Sequence, residues 1–403
     1  MASARVAKLA VLSLLLAGLL VTFFRARGSV PWHPVDLMSY VAAYQSHRDG
    51  GNPYDLLEAQ ASLERRGISL TAFDFVYSPP FLMAMLPHEV VPYRWFRLGW
   101  VGAGALSAWA AAYLLSLKLT SGGKVFAAGT FLFLTVSECL QDNLVWGQIT
   151  ALMLLAGSIM VYRDFKGAVA GIAGSLFPLT KVGFMPLTLF LRGRRALASL
   201  AVVLSALTIF AALLLGPRTF GEWGGRVLRI GETWSFRGSN NLSICHAACL
   251  LSETRLHKMD TERAGRDYDY RHEMADKMRV TSRRIYFVLL SGIALWLTTA
   301  VLRQRKASKP PSREAMLSIA VLFLLVFLPV VWIHYGLFLL IPFQVLCGRR
   351  RILLPGLFTA TVILWGLPTG MVPVWPRFLI PLGWLFWFAF YREGRTLPHT
   401  EPA

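Results

Sequence analysis

Long apolar segments recur from one end of the chain to the other, and this pattern most restricts the fold. They lie at residues 9–24, 75–92, 97–117, 125–141, 149–162, 167–191, 196–216, 285–302, 314–347, 352–370 and 375–391. One soluble core could not bury so many segments, whereas lipid accepts each of them as a helix. Composition agrees, since 55% of residues are hydrophobic and 16% charged, against about 45–50% and about 25% in soluble domains. The sequence predicts an all-α polytopic membrane protein, a single integral domain over residues 1–403 with about 10–13 transmembrane helices.

The formal net charge of +19 is concentrated in short connections between apolar segments. These connections are residues 118–124, 163–166, 192–195, 303–313 and 349–351. Short cytoplasmic loops of membrane proteins are enriched in Lys and Arg. We therefore attribute much of the charge to topology and expect no nucleic-acid partner. The same assignment places two longer loops, residues 27–74 and 217–283, outside the cytoplasm.

The first outer loop is predicted to hold two short helices at the membrane surface, over residues 34–48 and 54–66. Neither is long or apolar enough to span a membrane. On the first of them Asp36, Tyr40 and Tyr44 share a face, which would direct a carboxylate and two phenols into one groove. Such a carboxylate can serve as a general base. The alternative is a solvated acid, favoured near a helix start by the helix dipole.

Other polar residues stand where apolar segments end. His334 interrupts a long apolar run, which indicates a functional or paired group, or else an interfacial belt residue. Lys181 either presents its ammonium to a phosphate or snorkels to the surface. Gln148 closes a Trp-Gly-Gln corner and supplies hydrogen-bonding groups there. Arg218 and Arg237 flank a polar stretch and would suit an anionic headgroup, or form a solvated face.

A metal site has little support in the sequence. The four cysteines are scattered, and the cluster at residues 245–249 (CHAAC) has no second pair at zinc spacing. No Gly-rich phosphate loop is present either, so nucleotide-driven chemistry is not indicated. We expect no metal and no cofactor.

Several of these segments together resemble glycosyltransferase family 87. They are residues 35–40 (VDLMSY), 51–55 (GNPYD), 75–80 (FVYSPP), 146–148 (WGQ), Lys181 ahead of Pro186, 239–243 (SNNLS) and 332–335 (WIHY). Each segment is short, but their order and their common placement toward the outer face of the membrane make the resemblance specific. It extends over roughly residues 30–345.

The resemblance implies a GT-C-like helical bundle that uses a polyprenyl-phosphate sugar as donor and a glycolipid or glycan as acceptor. It implies that Asp36 is the base acting on the acceptor hydroxyl and that His334, the second catalytic candidate, lines the same cavity. The other candidates are Lys181, Arg218 and Arg237 for the donor phosphate, and Tyr40, Tyr77, Gln148, Asn240 and Asn241 for substrate. Membrane lipids are further partners, and the resemblance favours mannose and a bacterial inner (plasma) membrane.

Two other classes of protein compete with an enzyme. Helices broken by Pro and Gly with polar residues between them also occur in transporters and lipid flippases. Against that class, we find no inverted repeat, and the polar residues collect at one face of the membrane. The third class is a scaffold for envelope assembly without activity. Asp36 discriminates among them, because only an enzyme needs its carboxylate.

Overall fold

A computed structural model of the protein describes residues 2–29, 34–68, 75–117, 123–136, 138–161, 167–177, 194–233 and 333–347, with residue 119 and further single positions and short runs between 285 and 387. The chain divides into two compact units, Met1–Trp234 with His334–Gly366, and Ser235–Ile333 with Leu367–Ala403. Almost all described residues belong to the first unit. The single integral domain over residues 1–403 stays a prediction.

The described residues form helices, and no strand occurs among them. The α-helices are α1 Ala2–Ser29, α2 Val35–Arg48, α3 Leu56–Glu64, α4 Pro79–Leu82, α5 Tyr93–Leu117, α6 Gly123–Val136, α7 Glu138–Trp146, α8 Thr150–Val161, α9 Gly167–Gly174, α10 Arg194–Leu215, α11 Arg218–Thr233 and α12 Leu340–Cys347. Two 3₁₀ helices, Met83–Glu89 and Ile333–Leu339, precede α5 and α12. The predicted all-helical architecture is confirmed for this part of the chain.

Within the described residues, α5 and α10 are each long and apolar enough to cross a membrane. The pair α6 and α7, bent by 49° at the break between them, adds a third candidate if it counts as one span. Shorter apolar helices lie at Leu9–Arg25, Thr150–Met160 and Leu337–Cys347. The total of 10–13 spans stays a prediction, because most apolar residues after 285 lie outside the described ranges.

The apolar segment at residues 75–92 does not form a spanning helix. It contains only the four residues of α4 and the 3₁₀ helix that follows. Pro79 and Pro80 occupy the first turn of α4, where a missing N–H is tolerated, but Pro87 lies inside the 3₁₀ helix. Proline cannot donate to the backbone ladder, so no long regular helix forms here.

Helix α2 is buried on two sides although it does not span the membrane. One face, through Met38 and Ala42, packs against α3 at Ala59 and Leu63. The opposite face joins a larger aromatic core cluster through Leu37, Tyr40, Val41 and Tyr44. This double burial fixes the orientation of α2, and therefore of the acid near its start.

The end of α2 is tied to α3 by the carboxylate of Asp49. It accepts hydrogen bonds from Arg65 Nη2 at 2.6 Å, Arg66 at 3.2 Å and Ser62 Oγ at 3.0 Å. Asp55 caps the start of α3 by accepting from the backbone N–H of Leu57 at 2.8 Å. The hydrogen bonds from Arg66 and Arg65 hold the pKa of Asp49 well below its usual range.

Asp49→Asn is expected to lower the stability of the folded protein by about 0.5–1 kcal/mol at pH 7. The pKa of this carboxyl is depressed by folding, so its contribution is complete above the unfolded-state value near 3.9 and is lost as the pH falls below it. The difference in unfolding temperature between the native protein and the variant, measured in detergent, should therefore shrink at pH values below about 4. A difference that stays constant from pH 7 to pH 3 would contradict this account.

Candidate functional site

Asp36 occupies the first turn of α2, and the local sequence explains its position. Pro34 immediately precedes the helix with a φ of −59°, and its carbonyl accepts the N–H of Met38 at 2.9 Å. Proline's fixed φ and missing donor suit a helix start. The Asp36 side chain is half-buried there. A carboxylate in this turn is also favoured by the positive end of the helix dipole.

Gln148 reaches the site from a tight corner between α7 and α8. Gly147 adopts a φ of +72°, and the Gln148 backbone N–H donates to the carbonyl of Asn143 at 2.8 Å. The Asn143 side-chain oxygen accepts the N–H of Ala151 at 3.2 Å and so caps α8. The indole of Trp100 donates to the Gly147 carbonyl at 2.8 Å. These contacts hold the corner against α5.

The structure brings four of the predicted site residues together. Gln148 Nε2 donates a hydrogen bond to Asp36 Oδ2. The Tyr40 and Tyr77 hydroxyls donate to Gln148 Oε1 at 3.2 Å and 3.4 Å, and the two phenolic oxygens are 3.1 Å apart. Tyr40, Tyr77 and Gln148 are only 3%, 4% and 6% exposed, whereas Asp36 is half-buried. The carboxylate thus forms the outer end of a buried hydrogen-bonded cluster, which we call the base network.

The phenols of the base network stay protonated at physiological pH. Burial raises the pKa of Tyr40 well above its usual value, and the neighbouring Tyr77 and Asp36 raise it further. Burial likewise raises the pKa of Tyr77. Each hydroxyl therefore keeps its hydrogen and can donate it within the base network.

Aromatic rings enclose the Tyr40 side chain and fix its position. The rings of Tyr77 and Phe81 lie edge-on to it with centroids at 5.1 Å and 5.2 Å, and those of Phe75 and Trp100 lie at 6.2 Å. Such edge-to-face arrangements are favourable for aromatic pairs. The apolar wall also keeps water away from the buried phenols, which strengthens hydrogen bonds within the network.

The 3₁₀ helix Ile333–Leu339 carries Tyr335 within electrostatic range of the same carboxylate. Tyr335 is buried within this helix, and after burial the charge of Asp36 is the next cause that raises its pKa. His334 belongs to this helix, directly before Tyr335, but its side chain lies outside the described residues. Its predicted place in the same cavity stays a prediction.

Tyr44 does not join Asp36 and Tyr40. Its hydroxyl instead donates a hydrogen bond to Glu89, which also pairs with Arg48 at 3.2 Å. Burial, together with the hydrogen bond to Glu89 and the charge of Glu89, raises the pKa of Tyr44 to about 12. The predicted groove with two phenols along α2 is therefore wrong at Tyr44, and Tyr77 supplies the second phenol.

Among the predicted phosphate ligands, only Arg218 falls within the described residues. It begins α11, its side chain is 77% exposed, and its Nε lies 2.7 Å from Glu222 Oε1. The same helix packs Phe220 and Trp223 against the core cluster that contains Tyr40. Lys181, Arg237, Asn240 and Asn241 lie outside the described residues.

Two residues that shape the site, Gly147 and Trp100, are not among the predicted site residues. Gly147 passes so close to α2 that a Cβ placed on it would lie 2.7 Å from Leu37 Cβ and 3.1 Å from Pro34 Cβ. Trp100 anchors the corner from α5. A glycine inside a corner motif gives a sequence signal for Gly147, whereas an indole within an apolar helix gives none for Trp100.

Across the described ranges, no group of three or more His, Cys, Asp or Glu side chains is arranged to hold a metal ion. The expectation of a reaction without metal or cofactor stays a prediction.

Comparison with known proteins identifies the family. No curated protein and no solved structure matches the chain. The model of glycosyltransferase family 87 matches residues 75–329, which include Tyr77 and Gln148. Asp36 precedes that range, and its hydrogen bond to Gln148 links it to the matched part. Because the match spans more than half of the chain, this membrane-associated protein belongs to glycosyltransferase family 87 and is a glycosyltransferase.

Proposed function

We propose that the enzyme moves a sugar from a polyprenyl-phosphate donor to a hydroxyl group of a lipid or glycan acceptor, outside the cytoplasm and with inversion at the anomeric carbon. We favour mannose as the transferred sugar over other hexoses and over pentoses. The observation that carries the proposal is the Asp36 carboxylate, held by Gln148 at the half-buried end of the base network. The family match favours this enzyme over a transporter, a flippase or a scaffold.

Asp36 acts as general base in a single displacement. Its carboxylate takes the proton of the acceptor hydroxyl while that oxygen forms a bond to the anomeric carbon. The bond between this carbon and the phosphate oxygen breaks, and the polyprenyl phosphate leaves with the electron pair. The anomeric carbon gains oxocarbenium character at the transition state, and attack from the face opposite the phosphate inverts its configuration.

Positive groups stabilise the departing phosphate in this scheme. We assign this role to Lys181, Arg218 and Arg237, with His334 lining the cavity beside them. The exposed Arg218 side chain is accessible to an anion, while Glu222 restrains it from one side. Asn240 and Asn241 are assigned to the sugar hydroxyls. Phosphate is already a good leaving group, so the scheme requires no metal.

The proposed location is a bacterial inner membrane, with the active site outside. Short basic connections support this orientation, because Lys and Arg concentrate on the cytoplasmic side. Nucleotide sugars are not supplied outside the cytoplasm, so a transferase there needs a sugar carried across on a lipid. The short helices α2 and α3 support an interfacial site, since neither is long enough to span the bilayer.

The proposal is tested with full-length protein in proteoliposomes that contain a bacterial lipid extract as acceptor. Radiolabelled polyprenyl-phosphate mannose, glucose and arabinose are supplied separately, beside the corresponding nucleotide sugars. We expect label to pass to lipid or glycan from one lipid-linked donor, with polyprenyl-phosphate mannose as the favoured one, and from no nucleotide sugar. Transfer from a nucleotide sugar alone would overturn the donor class.

A further inference from the structure

The Gln148 side chain lies between a carboxylate and two phenols, and it contacts both sides at once. Its Nε2 faces Asp36 Oδ2, while its Oε1 accepts from the Tyr40 and Tyr77 hydroxyls. At 6% exposure the amide is almost fully enclosed. Tyr40 and Tyr77 are enclosed as well, so these three side chains present little surface to a substrate.

Chemistry determines which way this amide points. An ionised carboxylate only accepts hydrogen bonds, so it requires the amide NH₂ group on its side. Each phenol can accept as well as donate, but its hydrogen needs an acceptor, and the Gln148 oxygen serves both hydroxyls. Reversal of the amide would set its oxygen against Asp36 and take that shared acceptor away from the phenolic hydrogens. The observed orientation therefore suits both sides.

The two phenols are partly redundant in this arrangement. Three close contacts link Tyr40, Tyr77 and the Gln148 oxygen, but the two hydroxyls bring only two hydrogens. When one phenol donates to the other, the second still donates to the amide. Either hydroxyl alone can thus satisfy the Gln148 oxygen. Loss of both hydroxyls would leave this buried acceptor without its two phenolic donors, which destabilises the folded protein.

We propose that Gln148 is a positioning residue for the base, and that Tyr40 and Tyr77 act as interchangeable donors that lock its amide toward Asp36. The inference rests on the proposed function of Asp36. The sequence predicted that the three side chains contact substrate directly, whereas in this proposal they act on the reaction through the Asp36 carboxylate. The fixed N–H holds Oδ2, which sets the plane of the carboxylate and the direction from which it meets the acceptor hydroxyl.

Steady-state kinetics of Gln148→Leu test the positioning role. The donor is polyprenyl-phosphate mannose, or whichever of the three lipid-linked donors proves active in proteoliposomes. We expect kcat to fall about 10- to 100-fold, with KM within about two-fold of the native value. A positioning residue acts on the reacting geometry, whereas a residue that binds substrate would change KM. A large rise in KM at unchanged kcat would overturn the proposal.

A double-mutant cycle tests the redundancy of the phenols. Tyr40→Phe and Tyr77→Phe should each lower kcat by less than about three-fold, while the double variant should approach Gln148→Leu. Tyr44→Phe is the matched control, because this tyrosine lies one turn further along α2 and its hydroxyl donates to Glu89. It should leave kcat within about two-fold. Additive effects of the two substitutions would overturn the redundancy.

The unfolding temperature gives a second readout that needs no donor. The double Tyr variant should lower the unfolding temperature by several degrees more than the two single variants do in sum, because only the double variant removes both donors.

The failure of the proposed function and the failure of the positioning role give different results. If Asp36→Asn retains transfer, Asp36 is not the general base and the proposed function fails. If Asp36→Asn is inactive while Gln148→Leu and the double Tyr variant behave as native, only the positioning role fails.

Discussion

Asp36→Asn is expected to lose at least about 10²-fold of the transfer rate while the protein keeps its fold, because general bases contribute about 10²- to 10⁴-fold. Asparagine has nearly the shape of aspartate but cannot take up the acceptor proton. Its amide oxygen can still accept the hydrogen bond from Gln148 Nε2, so the base network can persist. The loss should therefore appear in kcat, with the unfolding temperature close to that of the native protein.

Asp49→Asn supplies the matched control for this experiment. It makes the same chemical change at the other end of α2, where the carboxylate binds Arg65 and Arg66 rather than Gln148. We expect it to lose a little stability and to keep its kcat. Transfer by Asp36→Asn above about one tenth of the native rate would move the base elsewhere, since a lost proton acceptor costs more than that.

Local sequence signals predicted α2 closely. The expected range was residues 34–48, and the observed helix is Val35–Arg48. Pro34 marks its start and the Asp49-Gly50 turn marks its end, and both signals act within a few residues. The shared face of Asp36 and Tyr40 also followed from the helix period, because residues four apart are neighbours.

The helix period did not correctly predict the position of Tyr44, which lies further along α2. Tyr44 lies eight residues beyond Asp36, which is about 12 Å along the axis and about 80° around it. Its hydroxyl consequently reaches Glu89 rather than the groove. Tyr77 takes its place, although 37 residues separate Tyr77 from Tyr40 in the chain. Such pairing depends on tertiary packing, which a helix period does not report.

The contact between Gln148 and Asp36 joins residues 112 positions apart. The sequence proposed both as site residues, one from a turn motif and the other from its place after the first apolar segment. It gave no physical reason for them to touch, and it placed Gln148 against substrate. The direct hydrogen bond depends on how closely the Gly147 corner approaches α2.

Gly147→Ala is expected to reduce both stability and transfer. Gly147 has a φ of +72°, which costs other residues about 1–2 kcal/mol, and a Cβ there would lie 2.7 Å from Leu37 Cβ. Overpacking adds about 1–3 kcal/mol. Leu37 directly follows Asp36, so relief of the clash must move the carboxylate or the corner that carries Gln148. Since a displacement near 1 Å can cost about 10²-fold in rate, kcat should fall by a factor of that order.

Gly67→Ala is the control that separates the two effects of Gly147→Ala, the steric clash with α2 and the backbone strain. Gly67 has nearly the same φ, +71°, but a Cβ on it would meet nothing within 4 Å. It should show only the cost of the left-handed conformation and keep its kcat. If Gly147→Ala is no less stable than Gly67→Ala and transfers sugar at the native rate, the corner does not set the distance between Gln148 and Asp36. A drop in kcat confined to Gly147→Ala would instead show that catalysis depends on how closely this corner approaches the first turn of α2.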